Sequence, residues 1–473
     1  MANEHKPDPD HQEPLSVGAR VGPQVVVVGG GLAGLTAAKF LKQANVDVML
    51  FEGSSRLGGR VQTVVDKLGP GLCTEVGGEF IDSRHTDILD LAHELGLSLI
   101  DTQDASESAL TPTYYFGGTH YTEEQVIDAF EPLAARVRHD AMLLSPDMSA
   151  GQHTPTDVAF DHLSIAHYLQ RVGATGWMRA LLDVAYTTEY GVDSDRQSCI
   201  NLLSMMSLDT SDGFDIFGDS DERYKIRGGN ERLIDGLAAQ LAGNIKLERR
   251  LVSLEKRGTG FHLHFAHGNG TELVNADFVI LSIPFSVLRT LDLALDLPPE
   301  KRNAINTLCY GTNEKLIVGL TAPVWRKYGR DGGAYCDRPF QTGWDSGRKQ
   351  GPGSSYTFYL GGHPAEQLAG SDPAVESGRF LREADALFPG IANAYTGVSR
   401  ASQWRANPFS LGAYSCYAPG QWTSVAGWEG TPVGKLHFAG EHCSRDSQGF
   451  MNGAVETGRK AAQAIVRAIN GNE

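Results

Sequence analysis

Four consecutive valines at 25–28 run directly into glycines at 29–31. An apolar run of that length, closed by glycine, reads as a strand buried on both faces. Residues 32–43 then carry a helical pattern, and VDVMLFE at 46–52 returns to a strand. Strand, glycine turn, helix, strand is the opening unit of a doubly wound parallel sheet. Further along, charged segments over 87–138 read as helix, 145–156 as a polar loop and 165–184 as helix. A glycine turn at 226–230 precedes an amphipathic helix to about 241. Strands are expected at 246–252, 261–265, 278–282, 315–320, 355–360 and 435–439, and a closing helix at 452–470.

At 473 residues the chain exceeds what one core usually holds, so two domains are expected. The net charge of −16 repels phosphate backbones and excludes nucleic acid as the expected partner. Apolar runs are strand-sized, so no membrane span is expected. Residues 1–19 are polar and lack the apolar core of a signal peptide, which reads as a disordered arm on a cytoplasmic protein. The six cysteines contain no CxxC pair and the histidines no HExxH, so no metal site is expected. His262 and His264 alternate along a strand and read as one face of a sheet.

Three motifs carry chemistry. In Gly29-Gly30-Gly31-Leu32-Ala33-Gly34, Gly29 allows the tight turn, Gly31 lets backbone approach a pyrophosphate, and Gly34 lets the helix pack closely. The helix start offers amide donors to the phosphates, and Glu52 ends the second strand where a carboxylate can accept ribose hydroxyls. Arg56-Leu57-Gly58-Gly59-Arg60 follows, a glycine pair flanked by cations suited to a diphosphate. Near the C-terminus, a strand ending in Ala439-Gly440-Glu441 leads to GFMNGAVETG at 449–458, where a helix start would favour a ligand that becomes anionic.

The glycine fingerprint, LGGR at 57–60, TEVGGEFID at 74–82, VILSIP at 279–284 and AGE with GFMNGAVETG resemble the flavin-dependent amine oxidase family, which includes monoamine, polyamine and L-amino-acid oxidases. The resemblance spans nearly the whole chain. It implies an α/β fold with a Rossmann-like FAD-binding domain built from 20–85, 225–290 and 400–473, and an α+β substrate-binding domain from 86–224 and 291–399. It adds Gly78, Glu79, Val252 and Met451 to the residues expected around FAD, and assigns Glu441 to the ribityl chain. It implies that a C–N bond is oxidised to an imine, which water hydrolyses, while dioxygen reoxidises the flavin to give hydrogen peroxide.

By the same resemblance, Lys315 would stand near the reactive flavin nitrogen through a water, and Tyr414 and Phe450 would sandwich the amine. Ala413 takes the position where some relatives tether the flavin through cysteine, so FAD is expected to be non-covalent. An α-amino-acid substrate needs a cation for its carboxylate, and Arg84 is the expected one, while Trp344 falls roughly where some amino-acid oxidases use a tyrosine for that carboxylate. Glu189 and the acidic stretch 209–222 suit a distal ammonium or guanidinium, as in L-arginine or L-lysine. The leading reading is an L-amino-acid oxidase, followed by a monoamine or polyamine oxidase and then a flavin C–C desaturase. Oligomeric state is left open, with a homodimer the form to look for.

Overall fold

The computed structural model describes residues 23–207, 214–351 and 353–471. The expected arm at 1–19, and 209–213 of the acidic stretch, lie outside the described residues. The valine run forms the strand Gln24–Val28, paired with parallel strands on both sides and buried because Val25 and Val27 face one core and Val26 and Val28 another. The five-stranded sheet is all parallel and ordered Leu436–Phe438, Phe278–Leu281, Gln24–Val28, Asp47–Phe51 and Ile245–Lys246. The helices Leu32–Gln43, Thr86–Glu94, Glu231–Gln240 and Met451–Ile469 bury their apolar faces in one core on this sheet. A four-stranded sheet, which contains Arg250–Arg257 and Gly260–His267, contributes to the core on the opposite face. His262 and His264 lie on Gly260–His267 and both face Glu255, at 3.6 and 3.9 Å.

A second, seven-stranded sheet is ordered Tyr395–Ala401, Asn313–Leu320, Ser354–Gly361, Thr342–Asp345, Arg330–Cys336, Thr111–Phe116 and Thr119–Tyr121. All neighbours are antiparallel except Arg330–Cys336 with Thr111–Phe116. The helix Gly176–Tyr190 and its neighbours share one core with this sheet, and helix Pro373–Ala384 shares another. The whole is a mixed α/β fold.

Three expectations are corrected. The span 87–138 is not continuous helix. Helices Thr86–Glu94 and Glu123–Ala141 enclose the strands Leu99–Asp101, Thr111–Phe116 and Thr119–Tyr121. The aromatic run Tyr114-Tyr115-Phe116 prefers a pleated surface and is buried there. The helix expected over 165–184 is two helices, Ile165–Arg171 and Gly176–Tyr190, separated at Gly173 (φ 83°). The strand expected over 246–252 breaks at Glu248, whose φ of 54° cannot continue a strand, and its halves join different sheets. Among the described residues, no helix is long and apolar enough to cross a membrane and no cluster of three metal-ligating side chains occurs.

Candidate active site

Gly29 adopts a φ of 110°, and its N–H donates to Phe51 O at 2.8 Å, which closes the turn onto the second strand. A methyl group on Gly34 would lie 2.0 Å from Gly29 O, so only glycine allows this helix–strand approach. A methyl group on Gly31 would meet nothing within 4 Å, because Gly31 borders an open cavity of about 370 Å³. The helix Leu32–Gln43 begins at this border, and no side chain caps its first amides. Those amides and the positive end of the helix dipole suit a diphosphate.

Glu52 stands at the same cavity. Its Oε2 accepts from Gly30 N–H and its Oε1 from Ser54 N–H, each at 2.7 Å. Each oxygen keeps a lone pair for a ribose hydroxyl. Arg56 also borders the cavity. Its guanidinium donates to Leu57 O at 2.9 Å, Val61 O at 3.3 Å and Gly59 O, bracing the turn from within. Gly59 takes a φ of 56° and lies against Gly31. Arg60 donates to Ala413 O at 2.8 Å and to Glu441 Oε1 at 2.7 Å. Glu441 also accepts from Ser415 Oγ at 2.7 Å and Gly449 N–H at 3.0 Å. Burial opposes ionisation of Glu441, but Arg60, His442 and Ser415 hold its carboxyl below the usual range.

Met451 and Gly78 border this cavity in contact, a methyl on Gly78 meeting the Met451 side chain at 3.0 Å. Val252 does not border it. Leu251 does, and Val252 sits 37% exposed at a β-bulge, since successive strand side chains face opposite ways. Arg249, Arg250, Pro408 and Phe409 complete the wall and were not anticipated. A glycine-lined helix start, a rim carboxylate and a long, partly apolar cavity fit a dinucleotide such as FAD. No cysteine lines the cavity, and Cys416 instead faces Cys309.

A second cavity of about 280 Å³ adjoins the first, sharing Arg60, Gly78, Ala413, Tyr414, Gly449, Phe450 and Met451. Its walls come from the seven-stranded sheet, through Lys315, Tyr335, Trp344 and Tyr359, and from loops and helix ends that carry Gly78, Glu189 and Phe450. Tyr414 and Phe450 stand at the junction, and Trp344, Tyr359, Phe80 and Trp404 extend the aromatic wall. The Trp344 ring lies 5.1 Å from Tyr359 and 5.6 Å from Phe80. Tyr414 Oη donates to Glu189 O at 2.5 Å and lies 2.8 Å from Tyr359 Oη, which fixes its ring against the end of helix Gly176–Tyr190. Phe450 packs against His85 and precedes the helix Met451–Ile469, whose N-terminus faces the junction.

Lys315 lies on the strand Asn313–Leu320 and reaches the cavity wall. Its ammonium donates to Glu75 O at 3.1 Å, Gly77 O at 2.9 Å and Glu79 Oε2 at 2.8 Å. Three acceptors occupy its three donors, so the expected bond to a water requires giving one of these up. Glu79 also takes Lys225 at 3.3 Å. Burial opposes its ionisation, but Lys315 and Lys225 together hold its carboxyl below the usual range. Glu79 therefore anchors two buried lysines. Lys225 was missed because only the tertiary fold brings it to this carboxylate.

Arg84 does not join the site. It is exposed, pairs with Asp219 and borders neither cavity. The turn at 82–85 points it outward while Asp82 faces the cavity. Glu189 does line the cavity, together with Glu222 from the end of the acidic stretch. Burial and nearby Asp82 push the Glu189 carboxyl up to about 7. Glu222 is exposed toward the cavity, and the protein packed around it, then Glu189, Asp82 and Glu79, push its carboxyl up to about 8. Glu222 also holds a left-handed φ of 46°, with its N–H on Asp82 Oδ1 at 3.0 Å. Such a conformation in a non-glycine residue costs about 1–3 kcal/mol and concentrates at functional sites.

Residues 32–466 match the family model described as flavin containing amine oxidoreductase. The chain is 25% identical over 467 residues to flavin-containing amine oxidase B of Cavia porcellus, covering 94% of this chain and 86% of that protein. It is 27% identical over 496 residues to the flavin-dependent L-tryptophan oxidase of Lentzea aerocolonigenes, covering 93% and 98%. Cyclohexylamine oxidase from Brevibacterium oxydans superposes with a TM-score of 0.81 at 21% identity, covering 95% of this chain and 100% of that one. Putrescine oxidase bound to putrescine superposes with a TM-score of 0.80 at 19% identity, covering 94% and 99%.

Proposed function

The chain belongs to the flavin-containing amine oxidoreductase family, with FAD as its cofactor, and from there we propose that it oxidises the C–N bond of a small amine carrying a second cationic group. One observation carries this reading. Among the described residues, both cations lining the second cavity are already paired, Arg60 with Glu441 and Lys315 with Glu79. Glu189 and Glu222 face the same cavity, and among the described residues neither carboxyl has an ion-pair partner. A substrate carboxylate would enter beside these acids with no open cation to receive it. A distal ammonium or guanidinium would find two acceptors.

Bound FAD supplies a two-electron acceptor for the carbon that bears nitrogen. Tyr414 and Phe450 flank the junction where that nitrogen must lie. Their rings exclude water and present electron-rich faces to the amine. Lys315 acts as a fixed positive charge at the wall, neutralised by Glu79. With Ala413 at the junction and no cysteine in either cavity, the flavin is held non-covalently, so acid precipitation releases it into the supernatant.

The test is anaerobic bleaching of the flavin band by putrescine, agmatine, L-arginine and an uncharged-tail monoamine of matched length. Agmatine and putrescine should reduce the flavin with kcat/KM at least ten times that of the monoamine, and L-arginine should be inert. Reduction by L-arginine as fast as by agmatine would overturn the reading and restore the α-amino-acid substrate that the likeness to the L-tryptophan oxidase favours.

A further inference from the structure

Cys309 and Cys416 are opposite partners in a two-stranded antiparallel ribbon, Cys309–Tyr310 with Ser415–Cys416. Opposite residues of an antiparallel pair hold their Cα atoms about 4.5–5.5 Å apart, inside the roughly 4.4–6.8 Å range that a disulfide spans. Both are free thiols, and each is the largest single influence on the other's ionisation. Cys416 is fully buried and Cys309 half-buried, which leaves Cys309 the accessible member. The ribbon adjoins the site. Tyr414 precedes Ser415, and Ser415 Oγ holds Glu441 at 2.7 Å.

The six cysteines do not share one chemical character. Burial pushes Cys73, Cys199, Cys336, Cys416 and Cys443 up, to about 12 for Cys199, with the Cys309 bond the largest influence on Cys416. Cys309 alone moves down, first through its bond from Cys416 and then through Arg196 and Arg289. The thiolate is the nucleophile toward peroxide, so the accessible thiol of the pair is also the activated one.

We propose that Cys309 and Cys416 form a peroxide-driven, reversible disulfide, a modification site beside the catalytic junction. The Cys309 thiolate attacks one oxygen of hydrogen peroxide, the O–O bond breaks, and Cys309 sulfenic acid and hydroxide form. Cys416 then attacks that sulfur, the S–S bond forms and the S–O bond breaks, releasing water. In sum, two thiols and one hydrogen peroxide give one disulfide and two waters, and both electrons pass to peroxide. Turnover with dioxygen as acceptor would deliver this oxidant at the site, and that source rests on the function proposed above. The disulfide chemistry itself requires only added peroxide, so the two can fail separately.

The test uses the reduced, desalted full chain with its flavin, treated with a few equivalents of hydrogen peroxide, blocked with an alkylating reagent and digested without reductant. The expected product is a cross-linked peptide pair containing Cys309 and Cys416, two hydrogens lighter than the free peptides and split by dithiothreitol. It should form at least tenfold faster than modification of the other four cysteines. In Cys416→Ser, Cys309 should instead stop at sulfenic acid, trapped by dimedone. Full alkylation of both residues at a peroxide dose that oxidises the other cysteines would overturn the proposal, as would over-oxidation of Cys309 in the unmutated chain.

Discussion

If Glu189 and Glu222 recognise a distal cation, that recognition must depend on pH. A carboxyl at about 8 is protonated by about ten to one at pH 7, and one at about 7 is half ionised there. Only the ionised form attracts a cation, so binding through Glu222 should strengthen about tenfold per pH unit below 8 and level off above. Agmatine is the better probe because its guanidinium stays charged across this range. The reacting amine must also lose a proton, but a matched monoamine shares that requirement. The informative quantity is therefore the ratio of kcat/KM for agmatine to that for the monoamine. This ratio should rise from pH 6 and reach a plateau near pH 8–8.5. A charge-assisted hydrogen bond contributes about 1.5–3 kcal/mol, so Glu222→Gln should lower the plateau by roughly 10- to 150-fold. In this variant the remaining rise should follow Glu189, with its midpoint near pH 7. Glu189→Gln with Glu222→Gln should leave the ratio near one and flat. Stopped-flow flavin reduction across pH 6–9 supplies all of these values. A wild-type ratio that does not change with pH, or a double variant that keeps its preference for agmatine, would refute the assignment.

Gly31→Ala should leave the fold and thermal midpoint of the apoprotein unchanged but weaken FAD binding at least tenfold by titration, because its methyl enters the cavity and meets no protein atom. Gly34→Ala should lower the midpoint itself, since its methyl would overlap Gly29 O. Arg84→Ala should change kcat/KM less than twofold for every amine, as an exposed ion pair outside the cavity contributes about 0–1 kcal/mol to stability and nothing to the site. Burial pushes Glu75 up to about 7 from an ordinary 4.5, so the folded state binds its proton more tightly than the unfolded one. Stability from this group is then present at low pH and lost between about pH 4.5 and 7, by up to about 3 kcal/mol. The melting temperature of Glu75→Gln should therefore rise relative to wild type across that window, and a constant offset would contradict the argument.

The cofactor half of the site was legible because its determinants are nearly contiguous. The turn at 29–34 and the carboxylate at 52 belong to one strand–helix–strand unit, whose geometry follows from spacing alone. The substrate half was legible residue by residue, through Glu189, Lys315, Trp344, Tyr414 and Phe450, but not as an assembly, because sheet order brings these residues together. The strand Arg330–Cys336 lies beside Thr111–Phe116, more than two hundred residues earlier, and no local pattern encodes that neighbour. Arg84 shows the limit of reading single residues. A lone arginine close to the glycine motif invites a substrate role, yet one turn of backbone directs it to solvent and to Asp219. Glu189 was legible as an acid suited to a distal cation, but its lack of an ion-pair partner among the described residues was not. Whether a carboxylate selects a cation depends on whether the nearby cations are free, and that follows from partners at distant positions. Lys315 is occupied by residues 75–79, and Arg60 by Glu441. Once both are accounted for, the cavity carries, among the described residues, unpaired acid and no unpaired base, and the expected preference moves from the α-carboxylate of an amino acid to the second cation of an amine.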